Sequence, residues 1–204
     1  MSQGKYLVID LEATCDNGGA VPRHQMEIIE IGGVLVHPGT LEVEAEFQTF
    51  VRPVIHTRLT PFCTELTSIT QAQVDDAPDF PEAIELLGAF IGRQRVRFCS
   101  WGNYDRNQFR QDAALHDVKL PFNDRHHINL KAKFSEALGT RKGFGLSRAL
   151  RRVGFDFEGT HHRGIDDARN IARLLPFILR RQVFPAPPQG KKRRSRFSGP
   201  RRRG

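Results

Sequence analysis

The stretch Tyr6-Leu-Val-Ile-Asp-Leu-Glu12 gives the first indication of the fold. Its apolar run Leu-Val-Ile is typical of a buried strand, and the strand ends in two acids. Because side chains alternate between the faces of a strand, Asp10 and Glu12 point the same way. Two partly buried carboxylates this close repel each other and resist ionisation unless a cation lies between them. The pattern indicates either a site for a hard divalent cation or a strand end that has turned polar in solvent.

Strand and helix patterns continue outward from residues 6–12. We predict further strands at residues 27–36, 43–51, 95–100 and near 127–129. The turn signal at residues 37–40 makes the second and third strands a hairpin. Apolar spacing predicts helices at residues 80–91, 104–116, 130–138, 146–153 and 165–181. A meander of strands followed by alternating strands and helices predicts one α/β domain, a mixed sheet covered by helices.

The charge of the chain is distributed unevenly. The 204 residues carry a formal net charge of +8, and eight of the 31 lysines and arginines follow Pro185. The remaining 23 basic residues balance the 23 acidic ones, so the body is neutral. We therefore divide the chain into a domain at residues 1–184 and a basic tail at residues 185–204, which we expect to be disordered.

Cysteine usage and hydropathy predict where the protein resides. Cys15, Cys63 and Cys99 are scattered without the spacing of a zinc site or a disulfide framework, which favours a reducing compartment. The apolar run before Asp10 is too short for a signal peptide, and none approaches the length of a membrane span. We expect a cytoplasmic protein without a membrane partner.

A third acid follows the predicted strand 95–100. Asp105 in Trp101-Gly-Asn-Tyr-Asp105 opens a predicted helix, and Gln108 lies three residues further on. The pair fits a capping box, in which Asp105 only caps the helix. A carboxylate has two oxygens, so capping and contact with a cation through water do not exclude each other.

The segment His161-His-Arg-Gly-Ile-Asp-Asp-Ala168 carries the remaining polar candidates. Asp167 shares a helical stripe with Ile171 and Leu174, whereas Asp166 lies on the side of Asn170, which we expect to be solvated. Helix phase therefore points Asp167 toward the core. First-turn acids are also favoured by the helix dipole, an alternative that explains Asp166 better than Asp167.

Histidines precede this predicted helix. A loop histidine beside acids suits a general base for water, although most loop histidines are simply solvated. The residues alone favour the functional interpretation for one of the two, His161 or His162, and do not say which.

Taken together, the four acids Asp10, Glu12, Asp105 and Asp167 and the preceding histidine resemble the three motifs of the DEDDh 3′–5′ exonuclease superfamily. This superfamily has a ribonuclease-H-like fold. Longer stretches narrow the resemblance to the ERI-type exoribonucleases of histone-mRNA and small-RNA metabolism, whose bacterial homologues are often labelled sporulation-kinase inhibitors. These stretches are Asp10-Leu-Glu-Ala-Thr-Cys15, Glu27-Ile-Ile-Glu-Ile-Gly32, Phe47-Gln-Thr-Phe-Val-Arg-Pro53, Phe62-Cys-Thr-Glu-Leu-Thr-Ser-Ile-Thr70 and Trp101-Gly-Asn-Tyr-Asp105. The resemblance runs from about residue 5 to residue 179.

The resemblance implies a role for each site residue. The family histidine lies five residues before the last aspartate, which selects His162 as the general base. Asp10, Glu12, Asp105 and Asp167 would hold two divalent cations, Mg²⁺ or Mn²⁺ because all ligands are oxygens. The implied activity is removal of nucleoside 5′-monophosphates from single-stranded RNA 3′ ends.

The positions of four residues in the family motifs make them candidates for contact with the substrate. Tyr104 and Phe62 are candidates for stacking on a base, with core packing as the alternative for both. Ala13 and Thr14, just past Glu12, are placed to contact the terminal sugar. DNA is an alternative nucleic-acid substrate, as in proofreading or repair exonucleases. A different alternative is a non-catalytic regulator that binds a protein, and the sequence identifies no protein partner.

Overall fold

A five-stranded mixed sheet runs through residues 4–186, the part of the chain that this computed structural model describes. The strands are β1 Lys5–Ala13, β2 Ile28–Val36, β3 Val43–Phe50, β4 Val96–Ser100 and β5 Ile128–Asn129. Their order is β3-β2-β1-β4-β5; β1, β2 and β3 pair antiparallel, whereas β4 is parallel to β1 and to β5. The predicted mixed sheet and hairpin are confirmed.

Helices cover both faces of this sheet. They are α1 Pro61–Thr67, α2 Gln71–Asp75, α3 Phe80–Ile91, α4 Tyr104–Leu115, α5 Leu130–Ala137, α6 Leu146–Arg152, α7 Gly164–Ala172 and α8 Leu175–Ile178. Helices α3 and α4 share one apolar core with the sheet, and α5 to α8 share the other. In the described residues no helix is both long and apolar enough to cross a membrane.

Strand β1 divides its side chains between the two cores. Leu7, Ile9 and Leu11 pack on the side of α3 and α4, whereas Tyr6 and Val8 pack on the side of α5 to α8. Strand alternation continues the second row into Asp10 and Glu12. The register of β1 with β2 shifts after Glu12, so the acids lie where regular pairing ends. Bulges at such positions re-aim side chains beside functional sites.

Two glycines let α7 lie directly on the sheet. A Cβ atom added to Gly32 of β2 would be 2.0 Å from the carbonyl carbon of Gly164, and one added to Gly164 would be 2.9 Å from the backbone oxygen of Asp10. No side chain fits in either place. The backbone contact brings the first turn of α7 against the centre of β1, within reach of its acids.

The prediction of one helix over residues 165–181 is wrong. The structure has two helices there, because Pro176 has no N–H to donate to Ala172 and its ring clashes with that carbonyl. Helices α1 and α2 are absent from the prediction, although Thr60-Pro61 and the capping box of Thr70 with Gln73 mark their starts. Most of the predicted tail, from residue 187 onward, lies outside the described residues.

Candidate active site

Three carboxylates converge where β1 meets α7. Asp10 and Glu12 come from β1 and Asp167 from the first turn of α7, and one oxygen of each lies within 4.8 Å of the others. Glu12 and Asp167 are buried, with 9% and 5% of their surface exposed. This is the donor set that a hard divalent cation prefers: anionic oxygens from several directions at short mutual distance.

Asp105, from α4, lines the same cavity as these three acids. Its Oδ1 accepts a hydrogen bond from the Leu11 backbone N–H at 3.2 Å, which ties the start of α4 to the strand that carries the other acids. The capping interpretation is wrong, since the N-cap is Asn103 and Gln108 donates to Met26 O and Asp112 instead. Asp105 is therefore a buried acid facing β1.

The electrostatics of the four acids reflect burial and mutual repulsion. Burial, followed by the charges of Asp105 and Asp167, raises the pKa of Asp10 well above its ordinary value. Burial and Asp167 raise the pKa of Glu12 to about 9. Burial raises the pKa values of Asp105 and Asp167 to about 6 each. Without a cation this site resists carrying its full negative charge, so the residues fit a bound divalent metal.

The two neighbouring aspartates of α7 face different surroundings. Asp167 is buried, whereas Asp166 pairs with Arg169 at 2.8 Å on the surface. The predicted solvated side is wrong in one respect, because Asn170 is fully buried and its amide donates to Glu158 O and Asp166 O. Asn170 is buried through these hydrogen bonds to the preceding loop, which helix phase alone does not reveal.

Both histidines line the same cavity as the acids. The His162 backbone N–H donates to Asp167 Oδ2 at 2.8 Å, and its φ of 63° is left-handed, which His tolerates better than most residues. The His161 ring stacks on Phe157 and hydrogen-bonds Ser147 Oγ at 2.7 Å. Burial, followed by the neighbouring His161, lowers the pKa of His162.

A cavity of about 350 Å³ opens above the acids. Its lining contains Asp10, Leu11, Glu12, Ala13, Cys15, Met26, Leu66, Trp101, Tyr104, Asp105, Leu146, His161, His162 and Asp167. Ala13 and Tyr104 thus line the cavity beside the acids. Thr14 and Phe62 are not part of this lining, and the Thr14 hydroxyl accepts the Glu27 N–H at 2.9 Å.

Sequence reasoning missed several residues of this region. Leu66 of α1, Trp101 of the loop between β4 and α4, and Leu146 of α6 contribute apolar walls, which only the tertiary structure brings together. Glu30 is a further buried acid, at 0% exposure, directly opposite Glu12 in the β1–β2 register. Its signal was a single acid inside the otherwise apolar strand Ile28–Val36.

Both a sequence comparison and a structural superposition identify the family to which the chain belongs. The model of the exonuclease family matches residues 7–175, so the chain belongs to that family. The nuclease domain of 3′hExo, described as a DEDDh family member bound to rAMP, superposes with a TM-score of 0.80 at 32% identity, covering 90% of this chain and 97% of that one. The DEDDh resemblance and the ribonuclease-H-like fold are confirmed, and the family typically uses divalent metals.

Individual relatives of known sequence are described as exoribonucleases. ERI1 exoribonuclease 3 of Mus musculus is 34% identical over 185 residues, which cover 86% of this chain and 54% of that protein. The 3′-5′ exoribonuclease 1 of Homo sapiens is 35% identical over 180 residues, covering 84% and 51%. The chain thus spans about half the length of the curated relatives it matches.

Proposed function

We propose that the chain is a 3′–5′ exonuclease that requires divalent cations and releases nucleoside 5′-monophosphates from single-stranded RNA ends. The observation that carries this proposal is the convergence of Asp10, Glu12 and Asp167 oxygens within 4.8 Å, beside His162. A fold can host many activities, so the proposal rests on this site rather than on the sheet. The relatives described as exoribonucleases support RNA as the substrate.

Asp10, Glu12 and Asp167 are the residues we assign to cation binding, with Asp105 as support. Their oxygens suit Mg²⁺ or Mn²⁺ and offer no soft ligand that would select another metal. When bound, two such cations acidify the attacking water and stabilise the charge on the leaving 3′-oxygen. The protein's part is to hold the four carboxylates in place through β1, α4 and α7.

His162 is our candidate for the general base. Because burial lowers its pKa, the imidazole is neutral near pH 7 and can accept a proton from water. The backbone hydrogen bond to Asp167 keeps this residue next to the acids. The ring that takes the proton is thus attached to the same turn that supplies a metal-binding oxygen.

The terminal nucleotide would occupy the cavity above the acids. A volume of about 350 Å³ falls within the range of small-ligand sites. We assign Ala13 to the terminal sugar and Tyr104 to the base. Thr14 and Phe62 could take the roles expected of them only if α1 or the end of β1 moves, since neither lines the cavity. Cys15, Cys63 and Cys99 are free thiols, which supports a reducing, cytoplasmic setting.

The test is degradation of 5′-labelled single-stranded RNA by the purified chain with Mg²⁺, with Mn²⁺ and with EDTA. We expect stepwise shortening from the 3′ end, nucleoside 5′-monophosphate products and no cleavage in EDTA or by Asp10→Asn. Faster shortening of a DNA oligomer of equal sequence would make the chain a DNA exonuclease. Absence of cation-dependent release from both polymers would overturn the proposal.

A further inference from the structure

Glu30 is a buried acid that lies behind the candidate site without lining its cavity. Its side chain is inaccessible to solvent, and four hydrogen bonds reach its two carboxylate oxygens. Oε1 accepts from Gln48 Nε2 at 2.6 Å and from Arg163 Nη2 at 3.5 Å. Oε2 accepts from Arg163 Nε at 3.2 Å and from the Gly164 backbone N–H at 3.1 Å.

These contacts separate Glu30 from the acids of the cluster. Glu30 faces Glu12 in the strand register, yet both of its oxygens are already occupied by donors. A carboxylate whose oxygens already accept these hydrogen bonds has few lone pairs free for a metal ion. Its negative charge is balanced by Arg163. Glu30 is therefore suited to holding backbone and not to binding metal.

Arg163 is the residue through which Glu30 reaches the site. It lies between His162 and Gly164, and its guanidinium also covers the Phe50 ring at 5.3 Å. Its carbonyl oxygen accepts the Asp167 N–H at 2.9 Å, the first hydrogen bond of this turn. With the Gly164 N–H held by the same Glu30 oxygen, the start of α7 is fixed to β2 at two adjacent residues.

We propose that Glu30 and Arg163 are positioning residues, which fix the turn from His162 to Asp167 so that the histidine ring and the Asp167 carboxylate face the Asp10 side of β1. The inference rests on the proposed function for its kinetic part. Neither residue lines the cavity, so neither touches substrate there. The left-handed conformation of His162, which has a φ of 63°, is held by this clamp and by the hydrogen bond from its N–H to Asp167.

The Arg169–Glu46 pair provides a matched control. It also joins α7 to the sheet, through Arg169 Nε and Glu46 Oε1 at 3.0 Å, but on the surface and two residues beyond Asp167. If anchoring α7 to the sheet were all that mattered, breaking either pair would have the same effect. Glu46→Gln therefore separates general helix anchoring from positioning of the catalytic turn.

The first measurement is amide hydrogen exchange of metal-free protein, which does not depend on activity. Because Glu30→Gln removes the charge of the acceptor, exchange at the Gly164 and His162 amides should rise roughly tenfold or more. Glu46→Gln should leave both amides within about twofold of wild type. Unchanged exchange in Glu30→Gln would overturn the inference whether or not the chain proves to be a nuclease.

The second measurement separates the rate of the chemical step from substrate binding. Single-turnover cleavage by Glu30→Gln should be slower by roughly 10–100-fold, the usual cost of losing a partner that orients ligands, while RNA affinity changes little. Arg163→Ala should slow cleavage to a similar extent. Arg163→Lys should recover part of the rate because lysine restores the positive charge beside Glu30. A loss of affinity with an unchanged rate, or an equal defect in Glu46→Gln, would contradict positioning. An inactive wild-type chain would instead overturn the proposed function.

Discussion

Glu12 lies on β1 and Glu27 immediately precedes β2, and these two buried acids have opposite surroundings. Glu27, with 2% of its surface exposed, accepts backbone N–H groups of Val54, Ile55 and His56 at 2.6, 2.8 and 2.9 Å. Glu12 is 9% exposed and accepts no hydrogen bond from the residues that the structure describes. It faces Asp167 and Glu30 instead, and its pKa rises to about 9.

The contrast distinguishes an acid that stabilises the fold, Glu27, from an acid suited to binding a cation, Glu12. Three N–H donors make Glu27 the anchor of the loop that follows β3. Glu12 has the desolvation cost of burial without compensating hydrogen bonds. Folded proteins retain such an uncompensated buried acid mainly at functional sites. A divalent cation supplies that compensation. Substitutions in the two kinds of acid should therefore differ in whether they change activity or stability.

Asp10→Asn should have the largest effect on activity, reducing RNA cleavage to background. Asp10 is the most central acid, and its pKa is raised by burial and by Asp105, Asp167 and Glu12. Removing its charge also relieves repulsion, so the metal-free melting temperature should stay equal or rise. Nuclease assays and thermal melts in EDTA check both results. Cleavage near the wild-type rate would contradict the assignment.

His162→Asn should slow cleavage by roughly 10²–10⁴-fold, the typical contribution of a general base. Asn tolerates the left-handed backbone of His162, so the substitution avoids the strain that alanine would add. The comparison is His161→Asn, because the His161 ring lines the same cavity, stacks on Phe157 and places Nδ1 3.6 Å from Asp167 Oδ1. The two variants are compared by their single-turnover cleavage rates at saturating RNA. Equal losses in the two variants would show that His162 has no special role.

Asp167→Asn and Asp166→Asn should differ although the residues are adjacent. Asparagine at position 167 can still accept the His162 N–H, so the variant loses charge without losing that hydrogen bond. We expect it to lose most activity and to need more Mg²⁺ for half-maximal rate. Asp166→Asn should weaken the pair with Arg169 and the acceptor of the Thr160 N–H, both of which lie outside the cavity lining, so activity should change little. A larger defect in the second variant would reverse the assignment.

Glu27→Gln should affect stability and leave the activity of the folded protein unchanged. A neutral amide offers one oxygen, where the carboxylate offers two, to three N–H donors, and a lost hydrogen bond to a charged group costs about 1.5–3 kcal/mol. Chemical denaturation measures the loss, and active-site titration normalises the cleavage rate. If the rate per folded molecule falls as it does in Asp10→Asn, the contrast between the two acids fails.

Much of the site was predictable because its signals are local. Strand alternation puts Asp10 and Glu12 on one face, and helix phase distinguishes Asp167 from Asp166. Asp105 was ambiguous from sequence, since a helix-opening acid looks the same whether it caps the helix or faces a strand 94 residues away.

The rest of the site depends on tertiary contacts. The approach of Gly32 to Gly164 and the clamp of Glu30 on Arg163 join residues far apart in the chain, and neither has a periodic signature. The break at Pro176 was visible in the sequence, but apolar spacing carried the predicted helix past it. Local patterns therefore predicted the acids and missed what holds them.

The pH dependence of metal-free stability, measured in wild type and Glu12→Gln, tests directly whether the acid cluster is a cation site. A carboxyl whose pKa is about 9 in the folded state and near 4.5 when unfolded binds more protons folded, so the free energy of unfolding falls as pH rises between these values. The wild-type melting temperature in EDTA should therefore fall between about pH 5 and pH 9, and Mg²⁺ should restore it. Glu12→Gln should show a flatter profile and less response to Mg²⁺. Superimposable profiles, with and without Mg²⁺, would contradict an acid cluster built for a cation.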